Sequence, residues 1–181
     1  MLAIAFSVSL AALCTGIVLG YTSMDPAGPD GTWEGPEAHA EEVSFLGSFG
    51  PIVIRNTGAA MLMFSGVLTG GFSTIVALGL MAAYIGATFG AAAHTAGIQQ
   101  SLGSIVLYAP LEFLGLLIAA TAGILPVVVA VASTLNYAEN ESRSPLRAYA
   151  GSLSLSLKSL GVAIAVILLA ALVESVVIAA R

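Results

Sequence analysis

In the run "SIVLYAPLEFLGLLIAATAG" (residues 104–123) every residue but one is uncharged, and the exception is Glu112. A carboxylate at the centre of a membrane helix costs roughly 2.5–3.5 kcal/mol on insertion scales, so such a group faces an interior or an aqueous cavity. Two kinds of chemistry fit it. It is either a neutral carboxylic acid tying two helices together, or a group that handles a proton, an ion or a peptide. Its candidate partners are Tyr108 one helical turn earlier, His94, Arg55, and Gln99 or Gln100. Glu174 is a second acid inside an apolar run, close enough to a helix end to snorkel or to pair with Arg181.

Catalysis finds less support. There is no nucleophile motif, no phosphate-cradling glycine loop and no nucleotide signature. An intramembrane enzyme would have only Tyr108, Ser101, Ser104 and His94 to draw on. The two histidines, His39 and His94, have no adjacent carboxylate pair, and Cys14 is the single cysteine. No catalytic residue, metal, cofactor or intrachain disulfide is therefore expected, and the reading leans away from an enzyme.

The elements that must position Glu112 follow from composition. Apolar residues make up 58% of the 181 and charged ones 8%, with mean hydropathy +1.00; a soluble domain carries about 25% charged residues. No charged side chain occurs from Met1 to Met24, among the 56 residues between Arg55 and Glu112, or among the 26 between Glu112 and Glu139. Fifteen more uncharged residues separate Lys158 from Glu174. A spanning helix needs roughly 20 apolar residues. The chain reads as all-α, a single polytopic transmembrane bundle over residues 1–181, with the lipid bilayer as its first partner. No basic stripe exists to meet nucleic acid.

About five spans are expected, near 2–21, 52–70, 72–94, 110–134 and 155–179. The first lacks a basic flank and a clear cleavage site and reads as a retained span rather than a signal peptide. Residues 52–97 are too long for one pass, and Gly70-Gly71 is the natural break. Pro110 predicts a re-entrant or kinked segment over 101–109 before the fourth span. Six acids and no Lys or Arg lie in the Gly- and Pro-rich loop 22–50, where Trp33 would suit a headgroup anchor and residues 43–49 a short interfacial helix. Arg143, Arg147 and Lys158 cluster around the loop 136–150. The positive-inside bias puts that loop and the N-terminus in the cytoplasm and puts loop 22–50 and the C-terminus outside, in the plasma membrane; Arg55 counts weakly against it. The sequon "NES" (140–142) is then idle.

Small residues stripe several spans. Gly115, Ala119 and Gly123 lie beside the Glu112 face, Ala82, Gly86, Gly90 and His94 share a face of the third span, and Gly66 and Gly70 share one of the second. Such stripes let backbones approach closely, which suits a compact bundle or a homo-oligomer contact.

Three segments then carry a resemblance. "IRNTGAAMLMFSGVLTGG", "LYAPLEFLGLLIAATAGI" and "LLAALVESVV" are similar, in that order, to the Asn-containing segment with its glycine-rich hairpin, the "PHG..LE" element and the last-span Ala-Ala-x-x-Glu of the stage II sporulation protein M family of integral membrane proteins. The resemblance covers about residues 50–178. It brings Asn56 into the polar group and places Glu112 and Glu174 on the family's two acids. With the partners already named for Glu112, the expected polar cluster is Glu112, Tyr108, His94, Arg55, Asn56 and Glu174. Tyr108 stands where the family usually has His, and a tyrosine supplies no imidazole titrating near neutrality.

The Ala- and Gly-rich, Lys-poor composition suggests a bacterial or archaeal source, and the family implies a membrane protein working with partners. Its founding member acts in septal peptidoglycan remodelling during engulfment, and some relatives sit beside ATP-binding cassette components in circular bacteriocin clusters. The expectation is thus a non-enzymatic subunit or scaffold of a larger membrane complex, with other membrane subunits or copies of itself as partners. The alternative is a permease-like export, maturation or immunity component for a peptide or other small substrate, working with an ABC-type ATPase.

Overall fold

The computed structural model describes residues 1–23, 45–135 and 144–180. Trp33, the sequon at 140–142, Arg143 and the pairing of Glu174 with Arg181 lie outside them. Hydrocarbon offers backbone amides no partner, so a chain this apolar must close its hydrogen bonds within helices or a barrel. Among the described residues seven helices form: α1 (Leu2–Ser23), α2 (Phe45–Phe64), α3 (Gly66–Thr69), α4 (Phe72–Ala96), α5 (Ile98–Ile105), α6 (Ala109–Leu135) and α7 (Pro145–Ala179). No strand occurs among the described residues. Among them five stretches, Leu2–Ser23, Gly47–Thr69, Phe72–Thr95, Ala109–Leu135 and Pro145–Ala179, are long and apolar enough to cross a membrane.

The central helix is α6, which packs on α1, α2, α3, α4 and α7. In its most apolar window 61% of residues are buried, against 22–33% in the other four, which turn one face outward. Leu80, Phe72, Tyr84, Leu62 and Val162 are among the large side chains on those outward faces, as expected of a surface solvated by lipid. The interior is built from Met63, Leu78, Leu116, Leu117 and Ile167 with alanines between them. Contacts along the chain fix the directions. Gly16 meets Ala82 and Gly86 meets Ile17 and Tyr21, so α1 and α4 run parallel. Gly115 meets Ala163 and Ile167 while Val129 shares a cavity wall with Gly151 and Ser152, so α6 and α7 run antiparallel.

Several boundaries differ from the sequence expectation, each for a physical reason. The last helix starts at Pro145, ten residues before the expected span, so residues 145–150 are helix and not loop. Proline at the first helical position loses no bond, and the Ser144 hydroxyl accepts the Arg147 amide at 3.3 Å to cap the end. The second helix starts at Phe45 and runs through Pro51, which absorbs Phe45 and Phe49 of the expected interfacial helix into α2. Residues 98–105 form a helix of their own, α5, and Pro110 sits in the first turn of α6, where its missing N–H has no partner to lose. Pro126 lies inside α6, fully buried.

Gly70 was expected on a packing face, and the structure gives it another role. A Cβ placed there meets nothing within 4 Å, and its φ of 62° is left-handed. With Gly71 at φ 88° it forms the turn from α3 into α4, closed by the Gly71 amide on the Gly66 carbonyl at 2.7 Å. An L side chain in this conformation costs about 1–2 kcal/mol. Gly70→Ala is expected to lower stability by that amount, read as an earlier midpoint in a denaturing-detergent titration. No change would show that the turn relaxes freely.

Candidate functional site

The polar interior lies where α2, α6 and α7 meet. Asn56 comes from the middle of α2 and is buried, with 7% of its surface exposed. Its Nδ2 donates to Oε1 of Glu112, in the first turn of α6. Glu174, near the end of α7, is likewise buried at 8% exposure, with the Glu112 carboxyl beside it. Arg55 is exposed on α2 and lies within electrostatic reach of Glu174.

The two glutamates converge because of helix direction. Side chains lean toward the N-terminus of their own helix. Glu112 therefore leans toward the end where α6 begins, and Glu174, on the antiparallel α7, leans back to meet it. Glu112 is half-buried and Glu174 is not, so the pair has one open and one closed member. Among the described residues the hydrogen bonding is incomplete: Oε2 of Glu174 is buried and has no partner, and the Thr57 hydroxyl, one residue after Asn56, is buried without one as well.

Of the six residues expected to cluster, the structure brings Asn56, Glu112, Glu174 and Arg55 together. Tyr108 is in the turn before α6, where its carbonyl accepts the amides of Leu111 at 3.0 Å and Glu112 at 3.1 Å. It thus shapes the start of the helix that carries Glu112. His94 is exposed in the last turn of α4. The Ser101 hydroxyl donates to the Gly97 carbonyl within α5 at 3.0 Å. No group of three His, Cys, Asp or Glu close enough to hold a metal ion occurs among the described residues.

Small residues let the helices close around this interior. A Cβ on Gly115 would stand 2.6 Å from Ile167, and one on Gly123 would stand 2.3 Å from the Met63 carbonyl. A Cβ on Gly66 would stand 1.8 Å from the Thr74 hydroxyl, which donates to the Met63 carbonyl at 2.5 Å. Ala119 is wholly buried, and Gly86 and Gly90 are buried on α4. Two features are additional to the sequence reading. One is the Thr74 bond, for which a lone threonine in an apolar span is a weak signal. The other is Gly16 and Gly20 of α1, a glycine pair at the four-residue spacing that marks close helix contacts.

Comparison with known proteins bears on the chain as a whole. No curated protein and no solved structure matches it. The family model described as stage II sporulation protein M matches residues 9–177, a range that holds four of the five long helices entire or almost so and the greater part of the first, and includes Asn56, Glu112 and Glu174. An integral membrane bundle with its polar residues on the second, fourth and fifth spans, matched over nearly its full length, belongs to the stage II sporulation protein M family.

Proposed function

We propose that this chain is a non-enzymatic subunit of a larger membrane complex, a scaffold whose outer faces are held in register by the polar contact among α2, α6 and α7. The supporting observation is that the intramembrane polar groups are directed at one another: Asn56 bonds Glu112, and Glu112 neighbours Glu174. Three helices far apart in sequence are thereby tied at one level. The orientation that follows from the charge bias has the N-terminus and residues 136–150 in the cytoplasm, residues 22–50 and the C-terminus outside, and the plasma membrane as the location. The partners are other membrane subunits or further copies of this chain.

A second reading is favoured by the buried Oε2 of Glu174, which takes no donor. An unsatisfied carboxyl suits a permease-like or export component for a peptide or small substrate, working with an ABC-type ATPase, better than a purely structural tie.

Affinity capture from gently solubilised native membranes separates the two. Glu112→Gln keeps an acceptor for Asn56 and is expected to retain the wild-type partners. Glu112→Leu is expected to capture about tenfold less, equivalent to about 1.4 kcal/mol. If both variants capture the same partners in the same amount, the scaffold reading fails. If Glu112→Gln keeps its partners but loses export or maturation activity, the second reading stands.

A further inference from the structure

We propose that Glu112 and Glu174 form an intramembrane proton-binding site, in which two carboxyl groups on antiparallel helices hold one exchangeable proton between them beside Asn56.

Donor accounting carries the proposal. An ionised carboxylate only accepts hydrogen bonds, so two carboxyl groups bond each other only when one carries a proton. Nδ2 of Asn56 donates to Oε1 of Glu112. Among the described residues, Oε2 of Glu174 is buried without any partner, on a side chain with 92% of its surface hidden. A proton shared by the pair supplies the missing donor.

The surroundings leave this role to the two acids. Among the elements packed nearby, α1 carries no charged side chain. Of the titratable groups of α4, Tyr84 and His94 are both exposed. From α2 comes Arg55, exposed to the surroundings though within electrostatic reach of Glu174, and Tyr108 precedes α6 in the adjoining turn. On α7, Lys158 lies sixteen residues before Glu174, about 24 Å along the axis. A metal ion fits less well. Oxygen-bound cations take six or more ligands, whereas this site has two carboxylates and an amide that turns its N–H toward Glu112. Half-buried Glu112 gives the proton its way in and out, at the end of the bundle where α6 begins. The exchange is a transfer between water and the pair, with no redox change.

The inference uses the residues of the proposed function, but its test reads the carboxyl proton itself, so proton binding and partner capture fail independently. The full chain in lipid nanodiscs is examined by infrared spectroscopy at neutral pH in water and in deuterium oxide. Wild type is expected to show one protonated-carboxyl stretch that shifts on deuteration. Glu112→Gln and Glu174→Gln are each expected to remove it completely, because the glutamine amide donates to the carboxylate that remains. A wild type lacking the stretch overturns the proposal. So does its survival in Glu112→Gln, which would assign the proton to Glu174 alone, or its displacement by sodium at fixed pH. Should a variant misfold, a hydrophobic carbodiimide, which attacks protonated carboxyls, gives a reading on wild type. Labelling of Glu112 or Glu174 at one site per chain supports the pair, and an unlabelled pair overturns it.

Discussion

Gly86→Ala is expected to destabilise the bundle by about 1–3 kcal/mol, whereas Gly79→Ala on the same helix is expected to leave it unchanged or to stabilise it by up to about 1 kcal/mol. The opposite signs come from what each new methyl meets. At Gly79 a Cβ finds nothing within 4 Å, so the substitution only adds helix propensity. At Gly86 it would lie 2.1 Å from the Ile17 carbonyl oxygen and 2.8 Å from the Tyr21 amide nitrogen. Those are backbone atoms of α1 and cannot rotate aside. The clash is reciprocal, since a Cβ on Gly20 would lie 2.0 Å from the Ala83 carbonyl oxygen. The α1–α4 pair must separate along its whole contact, and in lipid close packing is the main term holding such a pair together. Unfolded fractions across a detergent titration check this, with Gly161→Ala on α7, also open to 4 Å, as a second control. Equal effects at Gly79 and Gly86 would mean that the α1–α4 interface is not formed as described.

That contrast also marks what the sequence makes legible. Charge-free runs between Arg55, Glu112 and Glu139 announce membrane helices, because ionised side chains cannot be left in hydrocarbon. Gly70-Gly71 announces a turn, because two left-handed residues in succession suit glycine. Pairing is another matter. The stripe through Gly86 has the composition to pack on any neighbour, and only the assembled bundle shows that α1 fills it. The start of α7 was readable in Ser144-Pro145, a cap followed by proline, but the polar run around it masked the signal. Glu112 stood out as the lone acid of its run. Asn56 drew notice only through the family pattern, since one amide in an apolar helix announces little before its partner is known. His94 shares a helix face with Gly86 and Gly90 by spacing, yet α4 ends with it exposed.

Removing one member of the Asn56–Glu112 contact is expected to cost more than its share of removing both. Asn56→Leu takes the amide donor from Glu112, and a buried acceptor stripped of its partner costs about 1–3 kcal/mol. Glu112 is half-buried, so water reaching it keeps the loss toward the lower part of that range. Glu112→Leu in turn orphans the Asn56 amide, which is 7% exposed and has less access to water, so this single variant is expected to be the worse of the two. In Asn56→Leu/Glu112→Leu neither orphan remains at that contact, and two apolar side chains meet where amide and carboxylate met. The double variant is expected to be more stable than the sum of the singles by about 1–2 kcal/mol. It should not recover wild-type stability, because Glu174 keeps a buried carboxyl from which the Glu112 neighbour has been taken. Adding Glu174→Leu is expected to recover part of that remainder, since replacing a whole buried polar group by apolar side chains removes its desolvation cost. Unfolding of the four variants in one lipid composition completes the cycle. Strict additivity between positions 56 and 112 would show that α2 and α6 are held by packing alone, and the interlock proposed for these three helices would then have no energetic basis.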